Sequence, residues 1–194
     1  KPVPPMHWEI EFPEVFWREN PGFDAMVGNP PFLDSEFLKR TVPYERTAIG
    51  NLYESTTGNW DLYIPFTELS LRILKPLGFH AFVTPNKIIG SDYAISLQQN
   101  CLLANKIIEV HDFSRLFLFG KVRITVVVVA IQKVLSIDSD IVQFYQYENQ
   151  PPTMTLQRQS TIEELRSLPR GYISFPLTSS VPSQLSWMSR SNSS

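Results

Sequence analysis

The sequence predicts an α/β fold with a mixed, mostly parallel sheet, and three observations lead to this prediction. Short apolar runs bounded by turn residues alternate with amphipathic helical segments between residues 23 and 110, which is the pattern of successive βαβ units. A β-branched run over residues 122–131 follows a turn-rich stretch and favours an antiparallel return strand. With 194 residues, 43% of them hydrophobic and 19% charged, the chain is large and apolar enough to bury one core.

The first part of the chain contains one predicted strand between two irregular segments. Residues 1–22 combine prolines with aromatic side chains, which predicts an extended segment lying against a surface. The apolar run from Phe23 to Gly28 predicts a buried strand, because it stops at the turn sequence Asn-Pro-Pro-Phe of residues 29–32. Residues 33–60 show no sustained hydrophobic period, so we expect a long irregular connection with room for a short helix.

The middle of the chain predicts helix and strand in alternation. A helix is expected from Asp61, as its N-cap, to about Leu74, because apolar residues recur on one face and a Lys-Pro-Leu-Gly stop signal follows. Residues 79–84 predict the next strand, residues 87–104 a helix, and residues 106–110 a short strand. The resulting order of elements places the carboxyl ends of the parallel strands at one edge of the sheet.

The end of the chain predicts less regular structure. Residues 140–147 are expected to add a peripheral strand, and residues 161–168 a short helix. From residue 151 onward the composition shifts to Gln, Ser, Thr and Pro. We therefore expect a structured part at residues 1–148 and a linker, or the start of a following region, at residues 149–194.

Charge and cysteine content exclude several classes of protein. Seventeen Lys and Arg against nineteen Asp and Glu give a net charge of −2, so the chain does not coat nucleic acid through bulk charge. The single cysteine, Cys101, cannot form an intramolecular disulfide or a Cys-rich zinc site, which suits a reducing cytoplasm. The longest apolar run, residues 124–131, is too short to cross a bilayer. We expect a soluble, cytoplasmic protein with no membrane partner.

The most specific feature is the motif formed by Asn29, Pro30, Pro31 and Phe32 directly after a predicted strand. Two prolines remove two N–H donors and fix φ, which leaves carbonyl oxygens in a stiff, donor-poor loop. Open α/β sheets place ligands at the carboxyl ends of their strands. The Asn29 amide oxygen and the Pro30 carbonyl can together accept both hydrogens of a planar amino group, while Phe32 lies against the ring that carries it. Taken alone, the motif is also compatible with a structural turn.

This motif resembles the catalytic motif of N6-adenine DNA methyltransferases, and the sequence around it resembles the Eco57I-type restriction-modification enzymes. The resemblance covers roughly residues 7–147. Because the four-residue motif is shared with glutamine methyltransferases that act on proteins, the order of all the similar stretches carries the assignment. In chain order, these stretches are residues 7–16, 22–24, 29–32, 61–63, 74–78, 82–87 and 119–125.

The resemblance implies a partial Rossmann-like methyltransferase fold with an antiparallel last strand. It also implies a reaction in which an adenine, flipped out of double-stranded DNA, receives the methyl group of S-adenosylmethionine at N6 without a metal ion. Asn29 and Pro30 would bind the exocyclic amine, and Pro31 would keep the loop rigid. Phe32 would stack on one face of the base and Phe119 on the other face, with Phe117 as the alternative to Phe119.

Further residues receive roles from the same resemblance. Asp61 and Tyr63 are expected near the cofactor, although Asp61 is first a helix cap on its residue type. Lys87, Lys121 and Arg123 lie beside loops expected to face DNA, where basic side chains can contact phosphates. Scattered basic residues are also compatible with an ordinary solvated surface.

The chain departs from the family pattern in one respect. The glycine-rich loop that holds the methionine part of the cofactor lies upstream of the catalytic motif in this class, and residues 1–28 contain nothing similar. We therefore expect residues 1–148 to be the C-terminal half of a methyltransferase catalytic domain. Its expected partners are the missing upstream half and a target-recognition region. Cofactor binding, and with it activity, is expected to need the upstream half.

Two other functions fit the same residues. A protein-glutamine N5-methyltransferase uses the same acceptor motif on the planar amide of a glutamine side chain. A non-catalytic remnant would contribute only a surface for DNA binding or for assembly. Transfer of labelled methyl groups to DNA or to protein distinguishes the first alternative, and cofactor binding distinguishes the second.

Overall fold

The computed structural model describes residues 6–116, 125–148, 152–168 and 173. These residues form one six-stranded mixed sheet in the order β1-β2-β4-β3-β5-β6. No helix in this part of the chain has the length and apolar character needed to cross a membrane. The strands, in chain order, are β1 Phe23–Gly28, β2 Leu74–Pro85, β3 Asn105–Asp112, β4 Val126–Leu135, β5 Ile141–Glu148 and β6 Thr153–Thr161.

Helical segments connect the strands. The helices, in chain order, are α1 Trp8–Glu11, α2 Pro13–Phe16, α3 Ser35–Thr41, α4 Pro43–Leu52, α5 Tyr63–Ile73, α6 Ile95–Leu97 and α7 Ile162–Ser167. Helix α6 belongs to a broken helical segment in which 3-10 turns span Asn86–Ile89 and Asp92–Ala94 and a π turn spans Gln98–Leu102. The prediction that residues 87–104 are helical is confirmed for most of the segment. The segment is not one regular α-helix, because it changes between 3-10, α and π geometry.

The predicted mixed sheet is confirmed, but it is not mostly parallel, because three of its five strand pairings are antiparallel. The expected burial of β1 is also wrong, because β1 is an edge strand and none of its residues is buried. Strand β1 pairs with β2 in parallel, and β3 pairs with β5 in parallel. Strand β4 runs antiparallel to both β2 and β3 and lies between them. The antiparallel return strand is thus confirmed, in a central position in the sheet. Two further elements follow it in the chain and extend the sheet outward.

The connection over residues 33–60 is more regular than predicted, because it contains two helices, α3 and α4, where room for one short helix was expected. The Asp34 carboxylate caps α3 by accepting from the Phe37 N–H at 2.7 Å, and Pro43 starts α4 at a position where its missing N–H is not needed. No residue of α4 is buried, so this helix has no apolar stripe for a periodicity argument to detect. Capping chemistry, and not hydrophobic period, was the available signal.

The helix that follows starts later than expected. Helix α5 begins at Tyr63, and its N-cap, Leu62, has no side-chain capping hydrogen bond, so the prediction of Asp61 as the N-cap is wrong. Strand β2 follows α5 without a connection and is longer than the predicted strand over residues 79–84. Leu77 near its start has a φ of 65°, a left-handed conformation that interrupts the early pairing with β1.

Both ends of the chain differ from the prediction in detail. Within residues 1–22, the expected extended segment contains the short helices α1 and α2. The strand expected over residues 140–147 is confirmed as β5, but it is not peripheral, because the unpredicted β6 pairs with its outer edge. Helix α7 is confirmed and begins at a capping box formed by Thr161 and Glu164. The expected division at residue 148 stays a prediction, and the continuation of the sheet beyond it weighs against a linker there.

The core lies where the helical segments cover the sheet. Side chains from the broken helical segment, from β3 and β4 and from α7 are fully buried in one cluster. A second, aromatic cluster closes the start of β1, where the Phe23 ring lies 5.4–5.8 Å from the rings of Trp8, Phe12 and Phe16. This cluster fixes the N-terminal segment against the strand that leads to the candidate site.

A buried histidine in β2 makes the stability of the fold depend on pH. Burial lowers the pKa of His80 to about 4, and its Nδ1 lies 2.8 Å from the Ser70 hydroxyl. The unfolded chain takes up this proton near pH 6.5, so the free energy of unfolding should fall as the pH drops from about 6.5 to about 4. Above pH 6.5, His80 is neutral in both the folded and the unfolded chain and does not lower the free energy of unfolding. The expected loss reaches about 3 kcal/mol once the pH has fallen to about 4.

Urea unfolding between pH 7 and pH 4.5 measures this effect. His80→Gln should flatten the part of the pH dependence that His80 causes, while His7→Gln, a change at an exposed histidine, should leave it in place. Equal pH dependence in wild type and His80→Gln would contradict the assignment.

Candidate active site

The sheet brings several chain segments to one edge. Strands β1 and β2 are parallel, so Gly28 and Pro85 both end there, and Asp112 at the end of β3 pairs with Val127 near the start of β4. A hydrogen bond of 3.0 Å from Asn86 N to the Thr125 carbonyl joins the end of β2 to the residue before β4. This edge is the place where open α/β sheets bind ligands.

The acceptor loop, residues 29–32, leaves β1 at this edge. Asn29 is exposed, Pro30 is buried and Phe32 is half-buried. Within the described residues, neither the Asn29 amide oxygen nor the Pro30 carbonyl accepts a hydrogen bond. Two prolines in sequence remove the local N–H donors that would otherwise engage these oxygens. The loop therefore presents two unused acceptors.

A close approach between β1 and β2 holds the start of this loop. A Cβ atom on Gly28 would lie 3.3 Å from Cε1 of Phe82, a contact that forces the ring to move. Phe82 is buried and its ring centre lies 4.4 Å from that of His80. Glycine at this position lets the Phe82 ring sit directly beside the residue before Asn29.

The far end of the loop is held by a pair of reciprocal hydrogen bonds, here called the clasp. The Ser35 N–H donates to Oδ1 of Asp61 at 3.0 Å, and the Leu62 N–H donates to the Leu33 carbonyl at 2.9 Å. The clasp joins the two residues on either side of Asp34 to the segment that enters α5. It fixes the chain immediately after Phe32 without touching the acceptor oxygens.

Two tyrosines support the clasp from behind. The Tyr93 hydroxyl donates to Oδ2 of Asp61 at 2.8 Å, and the Tyr63 hydroxyl lies 2.7 Å from the Tyr93 hydroxyl. Because the Tyr93 proton points to Asp61, Tyr63 donates to Tyr93. Burial raises the pKa of both tyrosines, so both keep their protons near neutral pH.

These contacts bear on the predicted cofactor residues. Both carboxylate oxygens of Asp61 have partners, and the Tyr63 side chain is fully buried. A cofactor contact through these two residues stays a prediction; each Asp61 oxygen accepts one hydrogen bond and has capacity for another. An open cleft of about 360 Å³ lies beside Tyr93 and includes Thr57, Asn59 and Asp92 in its lining.

The predicted base-stacking and phosphate residues are only partly placed. Lys87 is exposed in the turn after β2, and its ammonium group has no partner among the described residues. Phe119, Lys121 and Arg123 lie outside the described residues, as does Phe117. Their roles stay predictions.

Sequence reasoning missed Ser35, a member of the clasp, and Tyr93, which supports the clasp. They contact Asp61 across 26 and 32 residues of chain, so no local spacing links them. The sequence predicts only that Tyr93 lies in a helical segment. The one available signal was Asp61 itself, because a carboxylate beside a buried helix start needs donors from somewhere.

Two solved enzymes share this fold. The type IIL restriction-modification enzyme MmeI, solved in complex with DNA, aligns with a TM-score of 0.52 at 22% identity, over 69% of this chain and 18% of MmeI. The type IIG restriction endonuclease BpuSI aligns with a TM-score of 0.52 at 16% identity, over 73% of this chain and 19% of BpuSI. The fold is the Rossmann-like α/β fold present in these restriction-modification enzymes.

The family follows from the sequence match. The model of the Eco57I restriction-modification methylase family matches residues 3–119, which is more than half of the chain. The chain belongs to this family, as the sequence predicted. The match ends at residue 119, so the similarity predicted beyond it and the roles of the motif residues stay predictions.

Two named relatives show how much of a family member is present. RM.Eco57I, a type II restriction enzyme and methyltransferase of Escherichia coli, is 32% identical over 77 residues, which are 40% of this chain and 8% of the relative. M.TthHB8I, a type II methyltransferase of Thermus thermophilus, is 32% identical over 88 residues, which are 43% of this chain and 20% of the relative. The chain thus spans a fifth or less of the length of these two relatives.

Proposed function

We propose that this chain is the amine-activating part of a DNA adenine-N6 methyltransferase in a restriction-modification system. The observation that carries the proposal is the pair of unused acceptors, the Asn29 amide oxygen and the Pro30 carbonyl, in a donor-poor loop at the carboxyl end of β1. Membership of the Eco57I family supports it. The methyl donor in this proposal is S-adenosylmethionine.

The acceptor loop acts on the nucleophile. Two acceptors that bind both N–H groups of the adenine amine hold its hydrogens on the protein side and draw the nitrogen lone pair out of conjugation with the ring. The nitrogen then carries a lone pair directed away from the base plane, where it can attack a methyl group. Preorganised acceptors do this without reorganising during the reaction.

Base extrusion supplies the substrate to this loop. An adenine inside a duplex does not expose N6 to an enzyme at attack distance, so the base leaves the stack at a cost of a few kcal/mol. The half-buried Phe32 offers a ring for one face of the flipped base. In the proposal, Phe119 covers the other face, with Phe117 as the alternative.

The two residues predicted near the cofactor both have structural partners, so their contacts do not by themselves point to a cofactor site. Asp61 is engaged on both oxygens, and Tyr63 is buried with its hydroxyl bonded. We therefore derive only activation of the amine from this chain. In the proposal, an upstream half of the catalytic domain holds S-adenosylmethionine, and a target-recognition region selects the DNA site. The greater length of the relatives supports this division.

Double-stranded DNA is the proposed partner. MmeI was solved with DNA bound, which supports this partner for a chain of the same fold. In the proposal, Lys87, Lys121 and Arg123 contact backbone phosphates. Such contacts position a duplex without reading its sequence.

Methyl transfer in the complete protein tests the proposal. Tritiated S-adenosylmethionine is incubated with the full-length parent and either adenine-containing duplex DNA or a protein substrate. Label on N6 of adenine is the expected result. Label on glutamine with none on DNA would replace the proposal by a protein-glutamine methyltransferase, and no transfer together with no cofactor binding would leave a non-catalytic assembly surface.

A further inference from the structure

An open cleft between α3, α4 and Trp60 has the chemistry of an anion site. Its volume is about 390 Å³. Its polar lining consists of Lys39, Arg46, Thr47 and Asn51, while Pro43 and Trp60 provide apolar walls. The lining includes two cations and no carboxylate. A cleft of this composition favours a ligand with negatively charged oxygens.

Arg46 is fixed at the base of this cleft, and one of its nitrogens is enclosed without an acceptor. Its guanidinium carbon lies 4.1 Å from the ring centre of Trp60, and its Nη2 donates to the Gly58 carbonyl at 3.1 Å and to Ser35 Oγ at 3.3 Å. Its Nη1 is buried and has no hydrogen-bond partner within the described residues. The side chain is therefore held in one orientation while one of its N–H groups lacks an acceptor.

Lys39 contributes the second cation. Its ammonium group donates to Glu36 Oε1 at 3.0 Å and to Asn59 Oδ1 at 2.8 Å, which leaves one of its three donors for a ligand. The Glu36 side chain is 80% exposed, so this ion pair is weak and does not cancel the attraction of Lys39 for an anion. The two cations approach the cleft from different helices.

The cleft is physically joined to the acceptor loop. Ser35 accepts from Arg46 through its hydroxyl and donates to Asp61 through its backbone N–H. Only Leu33 and Asp34 separate Ser35 from Phe32 in the chain. A ligand seated on Arg46 is therefore anchored beside the residues that hold the loop.

We propose that this cleft binds a phosphate of the DNA backbone close to the base whose amine the acceptor loop holds. The proposal rests on the proposed function for the identity of its ligand, a nucleic acid. A phosphodiester oxygen can accept from the remaining Lys39 donor and is attracted by the positive charge of Arg46, whose enclosed Nη1 reaches it only after a shift of the Arg46 side chain. The contact fixes where the duplex lies and leaves sequence recognition to other surfaces.

The salt dependence of DNA binding tests this site. Binding of the full chain to a fluorescent duplex is measured by anisotropy between 50 and 200 mM NaCl for wild type, Lys39→Gln and Arg46→Gln. Each cleft variant should reduce the slope of log K against log[salt] by about 0.9 and weaken binding about five- to tenfold near 100 mM salt. Arg40→Gln is the matched control, because Arg40 is an exposed cation of the same helix outside the cleft lining.

Each outcome decides the proposal. A reduced slope in the cleft variants with an unchanged slope in Arg40→Gln supports it. Equal changes in all three variants, unchanged slopes, or no DNA binding by the wild-type chain would overturn it. Arg46→Gln can disturb the contacts with Gly58 and Ser35, so the result for Lys39→Gln, a change at a surface side chain, is decisive if Arg46→Gln unfolds. Failure of methyl transfer by the full-length parent, with the slope change present, would remove the proposed function and leave the phosphate site.

Discussion

Asn29→Ala in the complete enzyme is expected to lower methyl transfer to adenine by about 10² to 10³-fold, the range seen when one preorganised polar group is removed from a reacting centre. The reason is that one of the two acceptors for the amine is lost while the Pro30 carbonyl remains. Asn29 is exposed and its side chain makes no hydrogen bond within the described residues, so stability should change by less than about 0.5 kcal/mol. The measurement is single-turnover methyl transfer with DNA at saturation.

Controls separate this chemical role from DNA binding. Asn29→Asp keeps an oxygen acceptor at the same position and should retain more activity than Asn29→Ala. Asn100→Ala removes an exposed asparagine amide that bonds only to Ser96 Oγ in the described residues, and it should leave turnover unchanged. DNA affinity should stay within a few-fold of wild type in all three variants, because none removes a phosphate contact. Near-normal turnover in Asn29→Ala would refute the assigned role.

The sequence predicted the position of the acceptor loop because local signals define it. A short apolar run, Phe23 to Gly28, stops at two prolines, and such a stop is visible without any tertiary contact. The direction of β4 was predicted for a similar reason, since a β-branched run after a turn-rich stretch favours antiparallel return. The position of the acceptor loop and the direction of β4 were predictable because both depend on residues that are close together in the sequence.

Features that depend on distant residues were not predicted. The role of Asp61 changed from helix cap to clasp because Ser35, 26 residues away, supplies the donor. The cationic cleft combines Lys39 and Arg46, from two different helices, with Trp60, and a periodicity argument within one helix does not show their common surface. Strand β6 was missed because Ser160 is its only buried residue, so it has no apolar alternation, and because its partner, β5, provides the register.

The clasp links the two proposed sites. Ser35 is the common member, since its hydroxyl accepts from Arg46 in the cleft and its N–H donates to Asp61. A phosphate drawn to the cleft and an amine held by the acceptor loop would therefore be positioned by one connected set of hydrogen bonds. Substitution of Asp61 measures how strongly this set of hydrogen bonds stabilises the site.

Asp61→Ala is expected to lower the free energy of unfolding by about 2 to 4 kcal/mol, because it removes two hydrogen bonds to a carboxylate and leaves the Ser35 N–H and the Tyr93 hydroxyl without their acceptor. Methyl transfer in the complete enzyme should also fall, since the end of the acceptor loop is released. Urea unfolding of the chain measures the first effect. Asp34→Ala is the comparison, because it removes one exposed capping bond at the start of α3, the helix that begins with Ser35. It should cost only about 1 kcal/mol.

Asp61→Asn separates the clasp from a direct contact with the cofactor. The asparagine oxygen can still accept from the Ser35 N–H, and its NH₂ group can donate to the Tyr93 hydroxyl, which then donates elsewhere. Stability should therefore stay within about 1 kcal/mol of wild type. If Asp61 acts only through the clasp, S-adenosylmethionine affinity in the complete enzyme also stays near wild type. A large loss of cofactor affinity with unchanged stability would mean that the Asp61 carboxylate binds the cofactor itself, in addition to its role in the clasp.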